Sequence, residues 1–278
     1  MTDKLRNHPH HHGMPTHFGM PTLLDVPTPE DCCALCKSLG LDFIELNMNL
    51  PYYQTDKLDI ARLLAAAEAH GVYYTLHLDE NLNPCDFNPL VARAYTETTL
   101  LAIEIAKRLR VPVITMHPLL GVHFTLPGRR AYLFDTYEDE YRTKLTAFRD
   151  ACATAIGNAD ITICVENGGS YGHAPFVVRG LDLLLEAPAF ALTFDTGHSA
   201  AANFTDEPTI LSRIHRLRHM HLHDARGRDH HLPLGDGNLD LAAYLDMAKE
   251  HNCRVVLEVK TSDGLRRSAD WLRERGYL

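Results

Sequence analysis

One stretch of the chain carries an unusual density of side chains that bind divalent metals. It runs as His219-Met220-His221-Leu222-His223-Asp224 and is followed by Asp229-His230-His231 and by Leu234-Gly235-Asp236-Gly237. Neutral imidazole nitrogens and ionised carboxylates are the usual ligands of such ions. The first part has the pattern of a short apolar strand with polar residues at its carboxyl end. The stretch therefore predicts a metal site where a strand passes into a loop.

Short apolar segments alternate with helical patterns along the rest of the chain. The segments expected to form strands are Phe18–Leu24, Asp42–Leu46, Val72–Leu78, Pro112–His117, Ile161–Glu166, Phe190–Asp195, His219–His223 and Arg254–Val259. Apolar spacings of three and four predict helices at Pro29–Leu39, Lys57–His70, Pro89–Leu109, Tyr137–Gly157, Val177–Glu186, Glu207–Arg216, Leu239–His251 and Asp263–Arg275. Continuous apolar strands joined by helices pair in parallel, so eight such units predict one α/β domain, a closed (β/α)8 TIM barrel.

An open, doubly wound sheet is the alternative arrangement of these elements. It would favour a glycine-rich phosphate turn directly after the first strand. The chain has Leu24-Asp25-Val26-Pro27 there, which is not such a turn. We expect residues 18–278 to form the barrel and residues 1–17, which hold five histidines without periodicity, to form an N-terminal tail.

Composition places the chain among soluble globular proteins, with 45% hydrophobic and 23% charged residues. The net charge of -9 argues against a broad nucleic-acid surface, although it leaves room for a local basic patch. No run of about 18 apolar residues predicts a membrane span, and no secretory signal pattern is present, so we expect a cytoplasmic protein. The seven cysteines predict buried thiols rather than a disulfide framework.

Six consecutive predicted strands end in a potential metal ligand or acid–base group. In chain order these groups are His77, His117, Glu166 with Asn167, Asp195 with His198, His221 with His223, and Glu258. The carboxyl ends of barrel strands meet at one mouth, so these side chains should be neighbours in space. Several carboxylates buried together would repel each other unless a cation lay among them. A divalent metal centre at the mouth is therefore expected.

In this order and on these strands, the motifs resemble the superfamily of xylose-isomerase-like TIM barrels. That superfamily contains sugar isomerases and epimerases together with the endonuclease IV type of DNA-repair enzyme. The motifs are Val165-Glu166-Asn167, Phe194-Asp195-Thr196-Gly197-His198, His221-Leu222-His223-Asp224, Asp229-His230-His231, Leu234-Gly235-Asp236-Gly237 and Leu257-Glu258-Val259.

The resemblance implies a ligand set for one to three divalent ions (Mn, Zn or Mg). The single-metal isomerases and epimerases would hold their ion through the residues that match Glu166, Asp195, His221 and Glu258. The endonuclease IV branch holds three zinc ions with those four and five further residues. The positions that match the five are His77, His117, His198, Asp229 and His231. The inventory therefore permits a trinuclear site without proving one.

Two loops bear on the substrate. The long segment 119–130 contains an aromatic residue and paired arginines, and it is either a lid that brings Arg129 to an anionic substrate group or a solvated loop. The segment Gly168–Gly172 could turn backbone N–H groups towards a phosphate, but simple turn chemistry is the better explanation. We expect Asn167 to contact the substrate. Glu45 either reaches the mouth or is a structural carboxylate.

The preferred functional hypothesis is a metal-dependent isomerase or epimerase of a small sugar or sugar-like hydroxyketone. In it the metal chelates the carbonyl and a neighbouring hydroxyl, and the reaction passes through an enediolate. Glu166 and Glu258 would move the proton, while His198 and His223 orient hydroxyl groups. The expected partner is a small carbohydrate, with no membrane partner. A homo-oligomer is left open.

Two other functions compete with this hypothesis. A trinuclear-zinc phosphodiesterase acting on abasic DNA is favoured by the complete ligand inventory. The predicted strand-end loops, however, have no run of arginine or lysine to hold a DNA backbone, so nucleic acid is not the expected partner. A non-catalytic metal-binding scaffold is the second alternative, and no sequence feature supports it positively.

Overall fold

Eight parallel strands close into a barrel in the computed structural model, which describes residues 16–278. The barrel strands are β1 (His17–Pro21), β2 (Phe43–Asn47), β3 (Tyr73–His77), β4 (Val113–Met116), β5 (Thr162–Glu166), β6 (Phe190–Asp195), β7 (Leu217–Leu222) and β8 (Arg254–Leu257). Each strand pairs with its sequence neighbour, and β1 pairs with both β2 and β8. The predicted TIM barrel is confirmed.

Ten α-helices accompany the barrel within the described residues. They are α1 (Pro29–Ser38), α2 (Ile60–His70), α3 (Pro89–Leu109), α4 (Leu133–Thr136), α5 (Glu138–Ile156), α6 (Pro175–Leu185), α7 (Thr196–Ala201), α8 (Glu207–Leu211), α9 (Leu241–Glu250) and α10 (Ser262–Glu274). Short 3-10 turns cover Pro51–Tyr53 and Ile214–Arg216. No helix among residues 16–278 is long and apolar enough to cross a membrane.

The start of the barrel differs slightly from the predicted first strand. The strand β1 begins at His17, one residue before the expected boundary, and ends at Pro21, before the exposed Leu24. Most of the predicted tail, residues 1–15, lies outside the described part of the chain. The prediction that these residues form a tail stays a prediction.

Two segments predicted as loops contain antiparallel hairpins. In the first, His123–Leu126 pairs with Arg129–Tyr132 across Pro127-Gly128, and Gly128 has a φ of 77°. A two-residue hairpin turn needs positive φ, which glycine supplies without steric strain. In the second, Asp224–Arg226 pairs with Asp229–Leu232 around Gly227. The loops that follow β4 and β7 are therefore ordered.

The main hydrophobic core contains six of the seven thiols. All seven cysteines are buried and free, as their sequence pattern predicted. Cys33 lies on α1 and its Sγ is 3.3 Å from the hydroxyl of Tyr74 on β3. Burial raises the pKa of Cys32 to about 11, so this thiol stays protonated at neutral pH. Six of the cysteines therefore contribute to the main core, whereas Cys164 packs against Val113 and Ala191 in a smaller cluster.

Candidate metal centre

Four residues from four consecutive strands meet at the carboxyl end of the barrel. Glu166 and Asp195 end β5 and β6, His221 lies near the end of β7, and Glu258 follows β8. One ligand atom from each residue lies within 4.8 Å of the other three. The Nδ1 atom of His221 is 3.0 Å from Oε2 of Glu258, 3.2 Å from Oε2 of Glu166 and 3.9 Å from Oδ2 of Asp195. The structure thus brings together the set that the resemblance implied for a single-metal enzyme.

The charges of this group depend on one another. Burial alone would raise the pKa of Glu166, but the charges of His117 and His221 hold it well below its usual value. Burial likewise opposes ionisation of Glu258, whose pKa the charge of His221 holds well below the usual value. Burial would lower the pKa of His221, yet the charges of Glu166 and Glu45 hold it well above normal. These mutual charges therefore favour a protonated His221 between the ionised carboxylates of Glu166 and Glu258 when no metal is bound.

Several buried polar atoms at the centre have no hydrogen-bond partner. They are both carboxylate oxygens of Glu166, Oε2 of Glu258 and Nδ1 of His221. A buried acceptor without a donor costs free energy, and buried carboxylates are normally paired or bind metals. Three carboxylate side chains and one imidazole are also a common donor set for Mn²⁺, Zn²⁺ and related ions. The donor set therefore fits a divalent cation.

Asp195 links this group to the next helix. Its Oδ1 accepts a hydrogen bond from the backbone N–H of His198 and so caps the amino terminus of α7. Both oxygens lie 3.1 Å from Nε2 of His223. The side chain of Asn167 pairs with the backbone of Asp195, accepting from its N–H at 2.8 Å and donating to its carbonyl at 2.9 Å. Asn167 is fully buried, so the structure places this expected substrate contact behind the site.

Three further imidazoles surround Glu166. The Nε2 atoms of His77 and His117 lie 3.4 and 3.5 Å from its Oε2, and Nδ1 of His198 lies 3.1 Å from its Oε1. The Nδ1 of His77 lies 2.8 Å from the carbonyl of Leu78, which turns Nε2 towards the carboxylate. Burial opposes protonation of His77, but the neighbouring carboxylate of Glu166 raises its pKa to about 8. These predicted ligands therefore reach the centre.

The expected role of Asp229 does not agree with its position. The residue is exposed on the second hairpin, where it pairs with Arg226. The prediction assumed an extended segment in which Asp229 and His231 point the same way. His231 instead has a φ of 59°, which breaks that alternation. A cluster of imidazoles forms without Asp229, from His198, His223, His230 and His231.

Both ring nitrogens of His223 already have partners within the protein. Its Nδ1 accepts from the backbone N–H of His231 at 2.7 Å, and Nε2 faces the carboxylate of Asp195. The side chain is fully buried. An imidazole used in this way has no lone pair left for a metal and no group left for a substrate hydroxyl. We therefore interpret His223 as support for Asp195 and for the His231 backbone.

The two loops discussed for substrate binding have other roles in the structure. Arg129 is exposed on the first hairpin, opposite Leu126, so its side chain lies in solvent rather than in the cluster. The backbone N–H groups of Gly169 and Tyr171 donate to the carboxylate of Asp206 at 2.7 and 2.9 Å. Asp206 therefore occupies the position in which a phosphate was considered.

Glu45, His219 and His230 are the site residues that sequence reasoning left unassigned. Glu45 lies inside the barrel, 2.9 Å from Nε2 of His219 and 2.8 Å from Nε2 of His221. The alternation of side chains along a strand was the available signal, because His219, His221 and His223 occupy every second position. His230 had no such signal, since its placement follows from the left-handed backbone at His231.

Comparison with known proteins agrees with this geometry. A family model described as xylose isomerase-like TIM barrel matches residues 33–275. The uncharacterized protein MJ1188 of Methanocaldococcus jannaschii is 28% identical over 190 residues, which are 66% of this chain and 64% of that protein. The chain thus spans slightly less than two thirds of that relative's length.

Solved structures show the same architecture. A D-tagatose 3-epimerase-like protein superposes with a TM-score of 0.74 at 22% identity, covering 93% of this chain and 96% of the other. A D-allulose 3-epimerase from Methylomonas sp., solved with D-allulose, gives 0.70 at 17% identity, covering 95% and 99%. These likenesses establish the fold alone. The family model matches most of the chain's length, which shows that the chain belongs to the xylose isomerase-like TIM barrels.

Proposed function

We propose that the protein is a divalent-metal-dependent isomerase or epimerase of a small sugar or sugar-like hydroxyketone. The observation that carries this proposal is the convergence of Glu166, Asp195, His221 and Glu258 at the barrel mouth, buried and with unpartnered ligand atoms. The four would hold Mn²⁺, Zn²⁺ or Mg²⁺. Such an ion polarises a carbonyl oxygen and makes the neighbouring C–H group more acidic.

The carboxylates of the site supply the proton transfer. Glu258 is the more accessible, with a side chain 14% exposed compared with 1% for Glu166. Its Oε1 lies 2.7 Å from Nζ of Lys260 and 3.4 Å from Nε2 of His231. These contacts support Glu258 as the base that would take a proton from a carbon at the mouth, with Lys260 beside the same carboxylate. The Nδ1 atom of His198 lies 3.1 Å from Oε1 of Glu166, at the edge of the same site.

The relatives agree with a sugar substrate. Two structural neighbours are named for 3-epimerisation of D-tagatose and of D-allulose, and one of them was solved with D-allulose. Both sugars are small hydroxyketones, the class that a cation-assisted proton transfer would act on. We take this class, rather than either sugar, as the proposed substrate.

Hydrogen exchange at carbon tests the proposal. The metal-loaded protein is incubated with ketoses and aldoses, including D-allulose and D-tagatose, in heavy water. We expect deuterium to enter beside the carbonyl, and Glu258→Gln to stop it because the amide cannot accept the proton. Glu97→Gln is the control, since this glutamate is 65% exposed on α3. An absence of deuterium in every sugar tested, from a protein that binds its metal, would reject the proposal.

One observation favours a second candidate, a metal-dependent phosphodiesterase. His77 and His117 add two imidazoles beside Glu166, more than one ion requires. Additional ions would suit hydrolysis of a phosphodiester, because two or more metals stabilise both the attacking and the leaving oxygen. Nicking of an abasic duplex with a steep dependence on salt, without deuterium uptake by any sugar, would favour this function over the first.

A further inference from the structure

The interior of the barrel holds a carboxylate beneath the metal centre. Glu45 projects from β2, is 2% exposed, and lies between two histidines of β7. We propose that Glu45 is a positioning residue that fixes the ring of His221 with a proton on Nε2, so that Nδ1 is the metal-ligating nitrogen. The inference rests on the metal site proposed above.

The first line of support is the contact between Glu45 and His221. The Oε1 atom lies 2.8 Å from Nε2 of His221, in an ion pair that does not have linear hydrogen-bond geometry. An ionised carboxylate can only accept, so a distance this short favours the tautomer with its hydrogen on the imidazole Nε2. When the ring is neutral, the lone pair is then on Nδ1. That atom faces Glu166 and Glu258 and has no hydrogen-bond partner of its own.

The second line of support is the fixed orientation of the Glu45 carboxylate. Its Oε2 accepts from Nε2 of His219 at 2.9 Å and from the hydroxyl groups of Thr75 and Thr115 at 3.1 and 3.5 Å. Three donors on one oxygen leave the other directed at His221. A carboxylate held in this way limits the rotation of the imidazole, and partners of this kind raise the metal affinity of a histidine.

Burial of the charged Glu45 side chain costs free energy, and packing of the barrel interior does not explain why a charged residue lies there. A charged side chain in a barrel interior must be desolvated, and replacement of buried ion pairs by apolar residues is often neutral or stabilising. Glu45 is placed among polar residues that lead to the metal ligand, with His219 and the threonines on one side and His221 on the other. A role in orienting His221 accounts for the carboxylate at this depth.

Zinc affinity and histidine tautomers test the inference on the full chain. We compare wild type, Glu45→Gln, Glu45→Ala and the control Thr193→Val. The control removes a hydroxyl that contacts Thr115 and leaves Glu45 untouched. Zinc affinity is measured by competition with a chromophoric chelator, and nitrogen-15 NMR of the histidine rings reports which nitrogen binds zinc. The N-terminal histidines are unchanged in every variant, so they do not affect the comparison.

We expect zinc on Nδ1 of His221 in the wild type and an unchanged affinity in the control. Glu45→Ala should weaken zinc binding by about 10- to 100-fold and lose the single tautomer. Glu45→Gln should retain more of the affinity, because its amide oxygen still accepts from Nε2. If the alanine variant fails to fold, the reduced affinity of the glutamine variant carries the test.

Three results overturn the inference. They are zinc on Nε2 in the wild type, wild-type affinity and tautomer in both Glu45 variants, and no zinc binding by the wild type at the centre. The last of these would also remove the proposed function. Conversely, the Glu45 variants could change zinc binding as expected while the wild type exchanges no sugar hydrogen. That pair of results would support this inference and reject the isomerase.

Discussion

Replacement of Asp195 by alanine perturbs three features of the centre at once. The carboxylate belongs to the four-residue ligand group, caps the amino terminus of α7, and faces Nε2 of His223 at 3.1 Å. Asparagine at the same position retains an oxygen that can accept in the cap and from His223. The pair of variants therefore separates the charge of the ligand from its structural contacts.

The expected effects follow from these contacts. Loss of a helix cap costs about 1 kcal/mol, and a buried imidazole N–H left without an acceptor costs about 1 to 3 kcal/mol. The metal-free Asp195→Ala protein should therefore be less stable by about 2 to 4 kcal/mol, and Asp195→Asn by about 1 kcal/mol or less. Both variants should lose more than about 100-fold in metal affinity, because loss of a residue behind a ligand already costs about 10- to 100-fold.

Urea unfolding with chelator present measures the stability of the metal-free proteins, and chelator competition measures zinc affinity. A wild-type zinc affinity in Asp195→Asn would show that the carboxylate is not a ligand. Equal stability of the alanine variant and the wild type would show that the cap and the His223 contact contribute nothing.

Three other perturbations address the surroundings of the centre. Gly197→Ala places a Cβ 1.9 Å from the ring of His223, so we expect urea unfolding to show a loss of about 1 to 3 kcal/mol in the free energy of unfolding. In the control Gly168→Ala the nearest atom to the new Cβ is 3.8 Å away, so stability should change little. Burial opposes protonation of His77, but Glu166 raises the pKa of His77 to about 8 from 6.5. Protonated His77 therefore contributes about 2 kcal/mol to the free energy of unfolding of the metal-free protein below pH 6.5. That stability should be lost as the pH rises through about 8, and a pH series on His77→Gln should lack this loss; an identical pH profile in both proteins would contradict the assignment. With zinc in excess, Asp229→Ala should bind as many ions as the wild type, whereas His230→Ala should lose any ion held by the imidazole cluster, and mass spectrometry of the intact protein counts them.

Much of the architecture could be predicted from the chain because it depends on local patterns. Apolar strands alternate with helices of regular spacing, and eight such units without a glycine-rich turn after the first strand favour a closed parallel barrel over an open sheet. The residues at strand ends follow from the same pattern, since Glu166 and Asp195 each end a strand. These residues converge because the barrel closes and brings all strand ends to one mouth, and no local sequence pattern shows that convergence directly.

Contacts between distant segments could not be predicted in this way. Glu45 and His219 are separated by 174 positions, and they meet only because β2 and β7 face each other across the barrel interior. Asp206 binds the backbone of Gly169 from 37 positions away and replaces an expected anion. His230, and not Asp229, joins the imidazole cluster, next to a residue with positive φ, His231, which a residue pattern does not reveal.

Crystals of the metal-loaded protein provide the most direct measurement, an anomalous difference map recorded at the absorption edge of zinc. We expect a peak bonded to Glu166, Asp195, Glu258 and Nδ1 of His221, at about 2.0 to 2.2 Å from each ligand atom. A peak confined to His198, His230 and His231, or a peak bonded to Nε2 of His221, would contradict the metal centre described here.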